Sequence, residues 1–235
     1  MKLNQEEIEK LYQFTRQHFV EHYDLQTEIV DHLANSIETI WQKDLKISFD
    51  EALQIEFRKF GVFGFEDIVN QRRSALSKRY NKIVWANLKQ FFTLPKVVLT
   101  FALIGILYQI LSRISFSKDL ILTLLIATAI MVLTKTYFNR KKQNLQFQKT
   151  KKKWLFQDCI ANYGFVSFFL TVPFQLIQVV FNDNFLNNYS LFLSGFSVFF
   201  IIIALITYIV LFEIPSKSEE YLKKTYPEYE LSNNL

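Results

Sequence analysis

The sequence has little of what usually carries chemistry or breaks helices. A single cysteine, Cys159, excludes an intramolecular disulfide and a cysteine-based zinc site. Glycine and proline are scarce, at 5 and 4 residues. Gly105, Gly164 and Gly195 stand singly in apolar surroundings, and no GxxxG pairs them into a close helix-crossing motif. The N-terminus, MKLNQEEIEK, is polar and mixed in charge and reads as no signal peptide. No ionisable residue falls near the middle of an apolar run. Lys96, Lys135, Asp158 and Glu213 all lie towards one end, which weighs against transport, because transporters usually place such a group at midplane.

What is present is apolar and unevenly spread. Half the 235 residues are hydrophobic, with 25 Phe and 11 Tyr. Residues 1–80 carry 11 Lys/Arg against 14 Asp/Glu, a net of −3, and residues 81–235 carry 16 against 8, a net of +8. The first part therefore reads as a soluble domain and the second as a membrane domain. The excess base lies beside apolar spans, so anionic lipid is the expected partner rather than nucleic acid.

A helix crossing hydrocarbon needs about 20 mostly apolar residues. Four segments qualify: about 91–111, 120–138, 159–181 and 189–212. The connection NRKKQNLQFQKTKKKW holds seven Lys/Arg and no acid, which puts it in the cytoplasm. The connection NDNFLNNY has neither Lys nor Arg and faces outside. Residues 1–80 and the tail 214–235 are then both cytoplasmic, and the protein is expected in a bacterial inner membrane. Trp85 and Trp154 precede spans one and three, where an indole finds both polar and apolar neighbours. Pro173 is expected to kink span three, and Lys135 and Asp158 are close enough to the inner surface to pair.

Residues 4–80 read as helices throughout. Asn4 caps the first, with Glu6 and Glu7 in the first turn. Leu25, Ile29, Leu33, Ile37 and Ile40 line a second, from about 25 to 42. Ser48 caps a third, with Glu51 three residues on, and Leu53, Phe57 and Phe60 form its buried face. Gly61 ends it. A fourth starts near Glu66 and runs towards span one. The fold class is all-α, a small cytoplasmic helical bundle followed by a four-helix transmembrane bundle. A bundle this small is marginal alone and is expected to lean on the membrane, a second copy or a partner.

The segments DHLANSIE (31–38), SFDEALQIEFRKFG (48–61) and GFEDIV (64–69) resemble the HAAS-type helical domain, which precedes transmembrane helices in many bacterial proteins. The resemblance covers the first third of the chain. It implies signalling or regulation, with PadR-like regulators as the partner class, and it brings no catalytic residues.

Several polar groups are candidates for more. His18, Glu21 and His22 match H-x-x-E-H, an inverted zinc-protease motif; a third ligand would come from Glu28, His32, Glu38 or Glu51. The same histidines also read as groups at a helix C-terminus, where imidazolium suits the dipole. Asp31 and His32 read as a titrating pair or as a structural contact within the bundle. Gln175 and Gln178 share a face of span three, as ligands or as interhelical hydrogen-bond partners. The favoured function is non-enzymatic and regulatory, with no cofactor, a protein partner or a homo-oligomer. An accessory or structural subunit of a membrane complex or transporter is the alternative, and a metal-dependent membrane protease the lesser one.

Overall fold

A computed structural model describes residues 2–162, 175, 189–226 and 229. The described residues are helical without strands. The helices are α1 (Gln5–Gln17), α2 (Tyr23–Lys43), α3 (Phe49–Arg58), α4 (Glu66–Gln90), α5 (Lys96–Arg113), α6 (Ser117–Thr150), α7 (Leu155–Asn162) and α8 (Tyr189–Tyr208). A π-helical turn (Ile209–Glu213), a short turn (Ile214–Ser216) and α9 (Ser218–Thr225) follow. The chain forms two compact units. One comprises residues 1–78, 147–159 and 226–235, and the other 79–146 and 160–225.

The first unit is built on α1 packed along α2. Asn4 starts α1 with a full capping box: its side chain accepts the Glu7 amide at 2.9 Å, and the Glu7 carboxylate accepts the Asn4 amide at 2.8 Å. Leu11, Val20, Leu25, Ile29, Leu33 and Ile37 are buried between the helices. On α2 the deep position at the C-terminal end is Trp41 rather than Ile40, and its indole donates to the Ile47 carbonyl at 2.9 Å. Ser48 accepts the Glu51 amide to start α3. The buried face of α3 is Ala52, Leu53 and Glu56. Phe57 and Phe60 are half-buried in an edge-to-face cluster with Phe14 and Phe65. Glu56 is tolerated there because Lys59 pairs with it.

The second unit holds the long apolar helices. Among the described residues three helices are long and apolar enough to cross a membrane: Lys96–Arg113, Ser117–Thr150 and Ser190–Ser216. The first starts five residues later than the hydropathy alone implies, because Phe91–Pro95 form turns between α4 and α5 and Pro95 sits at the N-cap. Of span three, the stretch beyond residue 162 lies outside the described residues except Gln175, which is exposed. Gly164, Pro173, Gln178 and the connection 182–188 are among those not described.

Leu111, Ile121, Leu125, Leu193 and Phe196 make the core where α5, α6 and α8 meet. Tyr108 and Ser190 hydrogen-bond beside it at 3.1 Å. At the other end, Pro215 has no N–H to give the Leu211 carbonyl four residues back. The Asn139 amide donates to that carbonyl instead, at 3.2 Å. Lys135 lies 4.6 Å over the Phe212 ring, a cation–π contact.

The basic stretch that follows the second apolar run is helical as far as Thr150. Helix α6 continues unbroken from the apolar run through Arg140, Lys141 and Lys142 to Thr150. No Gly or Pro interrupts this stretch, and Lys, Arg and Gln are good helix formers. The helix stops at Lys151, whose backbone is left-handed.

Candidate functional site: the α1–α2 turn and residues 151–158

Helix α1 ends at Gln17, and residues 18–22 turn the chain into α2. The turn is closed from inside. The Val20 amide donates to the Thr15 carbonyl at 3.0 Å, and the Gln26 side chain donates to the Val20 carbonyl at 2.6 Å. His18 and His22 are therefore not one helical turn apart on a common face. The His18 Nδ1 donates to the Phe14 carbonyl at 2.8 Å, and its ring packs on Phe14 and Phe57. His22 is buried. Glu21 is exposed and reaches Lys153. The three candidate ligands are each engaged elsewhere, and among the described residues no group of three or more His, Cys, Asp or Glu is placed to hold a metal ion.

What the turn holds is the segment after α6. The Tyr23 amide donates to the Lys153 carbonyl at 2.7 Å. His22 Nε2 lies 2.9 Å from Asp158 Oδ2; an ionised carboxylate only accepts, so the imidazole donates. Lys153 Nζ bridges Glu21 at 2.9 Å and Asp158 at 3.2 Å. Helix α7 begins inside this grip. Its Leu155 amide is capped by the Asp24 carboxylate at 3.1 Å, and its Phe156 amide by the Tyr226 hydroxyl at 3.3 Å. Two of the four orphan donors of a helix start are thus met from α2 and from the C-terminal tail.

An aromatic box backs these bonds. Trp154 is buried, with the rings of Tyr23, Tyr226 and Tyr229 at 5.5, 4.9 and 5.3 Å. Lys152 lies 4.4 Å over the Tyr23 ring. The place of Trp154 before an apolar run suggests a lipid interface, and the structure buries it inside the first unit. Apolar and π contacts from three tyrosines hold it more completely than an interface would. Trp85, the other indole of that pair, is exposed on α4.

The charges follow from these neighbours. Burial alone would raise the Asp158 carboxyl, but the His22 hydrogen bond and the Lys153 charge override it and hold it below the usual range. The Lys153 hydrogen bond holds Glu21 low. Burial opposes the charge on Lys153, yet Glu21 and Asp158 raise it above its ordinary value. Burial, and then the nearby Asp24 carboxylate, push the Tyr226 phenol up. This is an arrangement of mutually engaged charges, with the chemistry of a clamp.

Asp31 and His32 are exposed on α2. His32 stacks edge-on to Phe60 at 5.9 Å. Of the other residues nominated as a third ligand, Glu28 faces Arg72 at 3.9 Å and Glu38 accepts the Leu3 amide. The clamp itself was not anticipated. Its one legible sign was Asp158, the first acid after a run of seven bases.

No family model, curated protein or solved structure matches the chain.

Proposed function

We propose that the protein is a non-enzymatic, multi-pass membrane regulator whose soluble helical unit binds a protein partner. The observation that carries this reading is the clamp. The turn between α1 and α2 grips residues 153–158, and α7 leads from that grip along the chain towards an apolar run. Binding on the soluble helices could thereby be felt at the start of a span. The loop charges support both termini in the cytoplasm and an inner-membrane location. The resemblance of residues 31–69 to the HAAS-type domain supports a transcriptional regulator of the PadR kind as the class of partner.

The exposed Asp31 and His32 mark the face of α2 that is open to a partner. A photo-crosslinking residue at His32, in membranes from the native host, is expected to trap one polypeptide. A crosslink lost in Asp158→Ala would tie that binding to the clamp. Absence of any protein adduct at His32 and at neighbouring exposed positions of α2 would remove the reading.

A further inference from the structure

The first unit exposes three large apolar side chains at one edge. Phe19 is 89% exposed, Val62 97% and Phe63 70%. Phe19 follows His18, and Val62–Phe63 sit between Phe60 and Phe65. The His18 ring is 4.4 Å from Phe57 and 6.0 Å from Phe65, so both tips flank one aromatic cluster. Phe19 also has a left-handed backbone, φ 63°, which a bulky side chain disfavours. Nothing among the described residues covers these side chains. Gly61 and Gly64, both at positive φ, shape the turn that presents Val62 and Phe63.

We infer, resting on the membrane-spanning reading above, that this edge seats at the headgroup–acyl boundary of that bilayer. The occupant follows from position. Phe19 is two residues from Glu21 and three from His22, which hold Lys153 and Asp158. Asp158 is the last residue before the apolar run 159–181. The edge is thus tied, within its own unit, to the point where the sequence enters an apolar segment. The charge agrees: Lys151 is exposed and Lys152 half-buried beside the turn, and Arg58 is exposed at the end of α3. Such cations suit anionic headgroups. The nearest acids in the second tip, Glu66 and Asp67, lie in the first turn of α4, where the helix dipole offsets them.

The test uses the full chain in nanodiscs of zwitterionic lipid with an anionic fraction. A nitroxide is placed on Val62→Cys in a Cys159→Ser background. Collision with oxygen together with shielding from a water-soluble nickel chelate is the expected result. Free collision with nickel would place the tip in water, and shielding from both would place it against protein, a second copy included; either overturns the inference. Phe63→Trp, with Cys159 retained, reads the same position independently. Its added emission should be quenched by brominated lipid, and emission that is unquenched and characteristic of water would overturn the proposal.

Discussion

At the scale of single residues, the organising interaction is a carboxylate shared by an imidazole and an ammonium group. Asp158 accepts from His22 and faces Lys153, and it is only 16% exposed. Removing one donor leaves the other, but the hydrogen bond to a buried charge is lost. His22→Ala should therefore cost about 1.5–3 kcal/mol, read as a fall in thermal midpoint of the detergent-solubilised protein. The pH dependence has a definite sign. Asp158 and Glu21 are held below their ordinary values in the fold, so their contribution is complete above the unfolded carboxylate range and is lost as pH falls through the depressed folded values. Lys153 is raised, so its share is complete below the unfolded lysine value and is lost only as pH climbs past the folded one. The carboxylates should therefore make stability decline in acid, and Asp158→Asn should flatten that decline. An acid profile unchanged in Asp158→Asn would count against the clamp. Beyond the lone acid after seven bases, nothing in the sequence links these two residues. His22 and Asp158 are 136 residues apart, and the H-x-x-E-H spacing around His22 pointed to zinc. That motif needs a helix through all five residues, and the helix stops before them.

At the scale of elements, the helices themselves were legible. Asn4 and Ser48 sit where caps belong, and the stripe Leu25–Ile29–Leu33–Ile37 is buried as its spacing requires. Asn4→Ala should cost about 1 kcal/mol, seen as fraying of α1 in hydrogen exchange. The misreadings have physical causes. The basic stretch 139–150 satisfies the charge rule for a cytoplasmic connection, but that rule concerns side chains and says nothing of backbone. The same lysines, arginine and glutamines favour helix, so α6 runs on. Trp154 was judged by its neighbours in sequence, while its actual neighbours are Tyr23, Tyr226 and Tyr229. Trp154→Ala should cost about 3–5 kcal/mol, as expected for a buried large aromatic. The loss should be accompanied by release of the tail, detected as new proteolysis near Tyr226. A cost under about 1 kcal/mol would mean the box is not packed as described.

At the scale of the whole molecule, sequence composition already separated a charged helical part from an apolar one, and among the described residues three helices are long and apolar enough to cross a membrane. The division between units is less simple than the linear order suggested. Residues 147–159 and 226–235 belong with the first unit, although they follow apolar segments in the chain. Deleting residues 1–80 would therefore strip α7 of its Asp24 cap and Trp154 of Tyr23, so point substitutions are the sounder probes of partner binding. The proposed topology places Phe116, exposed between α5 and α6, outside, and Lys151 inside. In right-side-out vesicles an impermeant maleimide should label Phe116→Cys and spare Lys151→Cys, against a background kept low by the buried Cys159. The reverse pattern would invert the topology.

Residues 151–158 are built into the first unit by the clamp. Hydrogen exchange of the intact protein in nanodiscs tests it most directly, through the amides of Tyr23, Leu155 and Phe156. Each is hydrogen-bonded across the clamp. They should exchange as slowly as the core of α2 and speed up together in His22→Ala. Exchange of residues 151–158 at the rate of a free loop, with α2 still protected, would contradict it.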